Sequence, residues 1–194
     1  GHRDNNREVP VTPDTPFWIA ALTKTFVGLA CLHLANDGTV NIDELASATP
    51  EFDDLCQWLA DSEIPFGEGL VCEEPITIRA VLHHQVNKPV GSTFLYNPIM
   101  YSRLSRHLEH SLGEGVRQVE GRHNYLAQTI DKYILQPAGM TRSMASMWDR
   151  KKSLVYFDLA DGFTTEQDGY RQRNMRPERH IAGGAGMVST VLDL

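Results

Sequence analysis

The sequence is poor in cysteine, in long apolar runs and in basic charge. Only three cysteines, Cys31, Cys56 and Cys72, occur in 194 residues. An odd number at unrelated spacings argues against a disulfide framework and against a zinc cluster. Cys31 falls on the apolar face of the first long helix, which predicts a buried free thiol. No apolar stretch approaches the length needed to span a bilayer. The formal net charge is −7 with acids and bases interspersed, which leaves no basic footprint for nucleic acid and no polybasic membrane patch. There is no repeat of fixed period and no low-complexity tract. The opening GHRDNNREVP is polar, unlike a signal peptide, and lacks an initial Met, so a processed or truncated product is one expectation.

Metal and phosphate motifs are absent too. His83-His84 and the pair His107 and His110 have no third ligand at a zinc spacing, and no HExxH occurs. His107 and His110 lie one turn apart on a polar helix face, which predicts solvated side chains. The GGAG stretch from Gly183 to Gly186 lacks the lysine-serine tail of a phosphate loop and reads as a tight turn. The basic clusters DRKK and RQRNMRPER read as solvated loops. No cofactor is expected.

What is present is a chain with 41% apolar residues, enough for the core of one domain of ordinary size. Residues 1–16 are polar and turn-rich. PFWIAALTKTF, residues 16–26, opens the first long helix, with Leu22, Phe26, Leu29, Ala30 and His33 at three-to-four spacing and a stop at Asp37-Gly38. TVNIDELA reads as a short extended piece. EFDDLCQWLA reads as an amphipathic helix with Phe52, Leu55 and Leu59 on one side. PITIRAVLHH fits either a strand of period two or a short helix capped by Thr77. In VGSTFLYNPIMYSRLSRHLEHS, Asn97 can cap, Pro98 suits the first helical position, and Met100, Leu104 and Leu108 recur every fourth residue. Gly113 and Gly115 should end that helix. Another runs from Tyr125 to Leu135, closed by Pro137 and Gly139. SLVYFDLADGF alternates like a hairpin arm. Ser189 is a plausible cap for a last helix that has barely begun at Leu194.

Two short stretches carry candidate chemistry. Lys24 interrupts an otherwise apolar run, and Ala21 stands three residues before it. A nucleophile at a helix start sits among unpaired N–H groups and the positive end of the dipole. A lysine three residues later lies on the same face and can relay its proton. Here the setting is present and the hydroxyl is not. In FLYNPIMY, Tyr96 stands just before a helix start, where its phenol can project from a loop. A tyrosine held near a lysine can serve as a general base.

In order along the chain, VPVTPDTPFWIAALTKTF, DGTVNIDELA, ITIRAVLHH, GSTFLYNPIMYSRLSRHLE, YILQPAGMTRSM and AGGAGMVSTVLDL resemble the class C β-lactamase family. That family includes penicillin-binding-protein-like DD-peptidases, esterases and acyltransferases. The resemblance implies an α/β (α+β) fold, the β-lactamase/DD-peptidase-like one, in which an antiparallel sheet lies beside a helical region with the site between them. It implies that S-x-x-K falls on Ala21 to Lys24, and that Tyr-x-Asn falls on Tyr96, Asn97 and Pro98. In the implied mechanism a serine attacks an amide or ester carbonyl, lysine and tyrosine manage its proton, and backbone N–H groups hold the oxyanion. Asn97 and Pro98 are the expected substrate-binding positions, and a small-molecule or peptide acyl compound the expected substrate.

This chain departs from the pattern in four places. Ala21 replaces the nucleophile, so the covalent route should be closed. Pro98 replaces an asparagine that offers amide hydrogen bonds. The segment between His84 and Tyr96 is short where relatives carry a THTSGL loop. A third motif, Lys-Thr-Gly or His-x-Gly, is not found. Residues 1–194 are therefore expected to be a single but incomplete domain, truncated at both ends, with a second chain or further segment completing the sheet. Ala21 is expected to be either an engineered change or the mark of a natural pseudoenzyme that binds ligand or protein. The resemblance favours a periplasmic or secreted location.

Overall fold

In the computed structural model, the described residues are 1–4, 6–46, 50–113, 125–145, 159–160, 162–166, 169–173 and 184–194. They form an α+β arrangement, rich in helix, with two small antiparallel sheets. Strand β1 (Phe17–Trp18) pairs with β4 (Val188–Ser189), and β2 (Gly162–Glu166) pairs with β3 (Gly169–Arg173). The helices are α1 (Thr23–Asn36), α2 (Pro50–Ala60), α3 (Ile78–Leu82), α4 (Pro98–Gly113) and α5 (Tyr125–Ile130). Residues Asp131–Leu135 continue α5 as a wider π turn, and Gly139 at φ 70° ends it.

The expected first helix begins later than its apolar run suggests. Phe17 and Trp18 are spent on β1, and Ala20–Leu22 form a 3-10 turn that feeds α1. The buried face of α1 is Thr23, Lys24, Phe26, Val27, Ala30, Cys31 and Leu34. Leu22, Leu29 and Leu32 are exposed, and His33 is only partly buried, so the expected register of the apolar face is wrong for Leu22, Leu29 and His33. The reason is that α1 is apolar on almost every side, and periodicity cannot select a face in such a helix.

The core is helix on helix. α5 packs against both α1 and α4, with Leu126 and Ile130 meeting Phe26, Ala30, Leu104 and Leu108 in one cluster. The expected four-residue recurrence on α4 holds: Met100, Leu104 and Leu108 are all fully buried. Asn97 caps this helix, its Oδ1 accepting from the Met100 N–H at 3.0 Å. The ambiguous PITIRAVLHH segment is helical, because the Thr77 side chain accepts from the Ala80 N–H at 3.1 Å and starts α3. Residues 41–46 make turns rather than an extended piece, with one bridge from Leu45 to Thr77. The last cap is Thr190, not Ser189: Thr190 Oγ1 accepts from the Asp193 N–H at 3.2 Å, while the Ser189 hydroxyl lies 2.7 Å from that of Ser143. Gly115, the cluster DRKK, all but 159–160 and 162–163 of the SLVYFDLADGF arm, and most of RQRNMRPER lie outside the described residues.

Two further expectations are corrected. Cys56 and Cys72 form a disulfide, with Cα atoms 5.8 Å apart. A single bridge within one subregion needs no even-numbered framework, so the cysteine count hid it. Cys31 is the free, buried thiol the sequence implied, and burial pushes it up to about 12. His107 is buried rather than solvated, with Nε2 2.9 Å from Glu44 Oε1, while His110 is exposed. The partner comes from a distant turn, which helix spacing alone cannot reveal.

The disulfide closes a loop of sequence separation 16 around the Pro65–Gly67 turn. Replacing both Cys56 and Cys72 by Ser is expected to cost about 3 kcal/mol through the loop-closure entropy of the unfolded chain. Urea unfolding, with and without reductant, measures it. Equal midpoints for the oxidised chain and the double variant would refute that value.

Candidate active site

The site is built where four segments converge. The 3-10 turn brings Ala21 to the start of α1, with its side chain exposed. Ala20, immediately before it, has φ 42°, a conformation that non-glycine residues seldom adopt and that concentrates at functional sites. One helical turn on, Lys24 is almost entirely buried, as lysine seldom is without partners. Its ammonium donates to the Tyr96 hydroxyl at 2.7 Å and to the Gly184 carbonyl at 2.8 Å. It also lies 4.8 Å from the Tyr96 ring centroid and 5.6 Å from that of Tyr101. Two charge-assisted hydrogen bonds and two aromatic faces offset the loss of water around the cation.

Each partner is held by its own element. The segment from Gly184 to Ser189 is strapped across the start of α1: Ile19 N–H donates to the Met187 carbonyl at 3.0 Å, and Met187 N–H to Thr23 Oγ1 at 3.2 Å. Gly184 lies so close to α4 that a β-carbon there would fall 2.8 Å from the Pro98 carbonyl and against the Ser102 hydroxyl. Gly184→Ala is therefore expected to push the strap off α4 and cost about 1–3 kcal/mol. A thermal melt that does not change would contradict this packing. The Tyr101 hydroxyl donates to the Lys24 carbonyl at 2.9 Å, and burial raises that phenol above its ordinary range.

Sequence reasoning groups Ala21, Lys24 and Tyr96; the structure bonds Lys24 to Tyr96 and sets Ala21 in the turn just before Lys24. It does not bring Asn97 to the cleft. Asn97 is completely buried; its Nδ2 donates to the Phe66 carbonyl and to Asn87 Oδ1, both at 3.0 Å. With Oδ1 already spent on the α4 cap, its side chain has nothing to offer a substrate. Pro98, at the first helical position, has neither a side-chain donor nor an N–H. Among the residues that sequence reasoning missed as parts of the site are His84, against the back of Tyr96, and Gly184, whose carbonyl holds Lys24. A glycine amid apolar neighbours gives no signal of that role.

A family model described as Beta-lactamase matches residues 1–194. The chain belongs to the Beta-lactamase family. Among curated proteins it is 26% identical over 176 residues to Protein flp of Staphylococcus aureus (strain N315), covering 78% of this chain and 32% of that protein. The chain thus spans about a third of that relative's length. Among solved structures, the octameric penicillin-binding protein homologue from Pyrococcus abyssi matches with TM-score 0.67 and 22% identity, over 100% of this chain and 46% of that one. A class C beta lactamase from Rhodobacter sphaeroides matches with TM-score 0.66 and 16% identity, over 100% of this chain and 53% of that one. These likenesses show the β-lactamase/DD-peptidase-like fold.

Proposed function

We propose that this chain carries the proton-handling face of a serine acyl-hydrolase site acting on amide or ester carbonyls, and that Ala21 closes the covalent step. The observation that carries the reading is the 2.7 Å hydrogen bond from Lys24 to Tyr96 beside an exposed Ala21. With a hydroxyl at position 21, the Lys24–Tyr96 pair carrying one proton fewer, as a phenolate beside the ammonium or a neutral amine beside the phenol, would take its proton as the oxygen attacks the carbonyl and return it to the leaving amine or alcohol. N–H groups at the start of α1 would face the developing oxyanion. With a methyl there, none of those steps begins, and an acyl compound is bound and released unchanged. A β-lactam, a D-Ala peptide and a carboxylic ester all present such a carbonyl. The deciding experiment is Ala21→Ser, assayed with a chromogenic ester and a chromogenic cephalosporin; no burst with either would sink the reading. The Cys56–Cys72 bridge suits an oxidising compartment, consistent with a periplasmic or secreted protein.

A second reading, a non-catalytic module that associates with other polypeptide, is favoured by one separate observation. Leu22, Leu29 and Leu32 lie on one side of α1 and are each about half exposed. A helix apolar all round is ordinarily covered all round. Among the described residues the sheet at the start of this helix, β1 with β4, has two residues in each strand. We assign the Leu22–Leu29–Leu32 face to β-sheet polypeptide supplied by a second chain. Sedimentation velocity tests this. The expected result is concentration-dependent association that Leu29→Glu with Leu32→Glu abolishes. A monomer at every concentration, with the double substitution making no difference, would contradict it.

A further inference from the structure

We propose that His84 is a positioning residue for Tyr96, gripping the chain on both sides of that tyrosine so that its hydroxyl meets Lys24. The two grips are hydrogen bonds to the residues flanking Tyr96. The Leu95 N–H donates to the His84 carbonyl at 2.8 Å, and the Asn97 N–H donates to His84 Nδ1 at 3.0 Å. Between them the imidazole lies under the phenol, with ring centroids 4.7 Å apart. Its other neighbours fix the ring itself: Tyr101 stacks at 5.1 Å, and Phe94 meets it edge-on at 5.7 Å. His84 is buried and has φ 55°, so the backbone accepts an unfavourable conformation to aim this ring. Together with Ala20, it places two of the four positive-φ non-glycine residues of the described chain against the site.

The grip depends on the protonation state of the ring. Nδ1 accepts a hydrogen bond, so the ring is neutral with its proton on Nε2. Protonation puts an N–H on Nδ1 facing the Asn97 N–H, and two donors cannot bond. The titratable groups facing the ring are Lys24 from α1, Tyr96 from the loop and Tyr101 from α4. Burial, and then the positive charge of Lys24, hold His84 below the usual imidazole range. The grip is therefore complete at neutral pH, and in acid its Nδ1 half is lost while the backbone half, from the Leu95 N–H to the His84 carbonyl, remains. The Asn97 side chain keeps its own bonds to Phe66, Asn87 and Met100, so losing the His84 bond should release Tyr96 without dismantling the α4 cap.

The inference rests on the Lys24–Tyr96 reading, but its test needs no turnover. The chain itself, labelled uniformly with ¹⁵N and with ¹³Cζ-tyrosine, is titrated from about pH 8 into acid until the His84 ring signals report protonation, and followed by NMR. The expected result is a neutral His84 with its proton on Nε2. The Tyr96 ring signal and the Asn97 amide should then move together as His84 protonates, with Asn97 amide protection falling about fivefold or more. His84→Asn places an acceptor oxygen where Nδ1 was and tolerates the left-handed backbone. It is expected to keep the neutral-pH Tyr96 signal and abolish its titration in this range. His84→Leu should displace the Tyr96 signal at every pH. A Tyr96 signal that ignores the protonation of His84 in the unsubstituted chain overturns the proposal, whether or not either variant folds. So does a His84→Asn variant that matches His84→Leu. Failure of Ala21→Ser to turn over would leave these signals unchanged, so the two claims fail separately.

Discussion

Ala21→Ser is expected to raise kcat/KM for an activated ester by at least about 10³-fold over the chain with Ala21. Removing the nucleophile of a cooperative catalytic unit forfeits nearly all its acceleration, and restoring it returns what the remaining parts can still supply. The parts in place are a buried Lys24 bonded to Tyr96 and Gly184, and the helix start that receives position 21. A full gain would favour Ala21 as an engineered change in an otherwise working site. A gain limited by poor substrate orientation would point to Pro98 and to natural drift.

The second large effect concerns Lys24. In the Ala21→Ser background, Lys24→Met should lower the acylation rate about 10²- to 10⁴-fold, the range that general acid–base catalysis supplies. Methionine keeps the length and apolar stem of the side chain while removing both hydrogen bonds to Tyr96 and Gly184. Stopped-flow burst kinetics with a chromogenic ester separates that loss from weaker binding. Unchanged acylation would show that Lys24 only fills the space between α1 and Tyr96.

How far the sequence reaches is clearest at particular residues. Lys24 and Tyr96 were legible because a cation inside an apolar run and a phenol before a capped helix are each unusual, and the resemblance joined them. α4 was legible because its polar face leaves the Met100–Leu104–Leu108 recurrence visible. The face of α1 was not, because Leu22, Leu29 and Leu32 are as apolar as the residues it buries. The resemblance puts Asn97 among the substrate-binding positions, yet a residue that caps a helix at the head of a buried network has its polar atoms committed inward. His84, His107 and the Cys56–Cys72 pair share one feature: each gains its role from a partner set by tertiary packing, which no local spacing encodes.

Intact-mass spectrometry tests the central claim most directly. The Ala21→Ser protein, the unsubstituted chain and the Ala21→Ser/Lys24→Met variant are each incubated with an activated ester and with a β-lactam. The account predicts that Ala21→Ser gains one acyl mass, mapped by peptide digestion to position 21. It predicts no adduct on the unsubstituted chain and at most slow labelling when Lys24 is also replaced. An adduct of equal amount on the chain with Ala21, or no adduct on Ala21→Ser with either reagent, would contradict it.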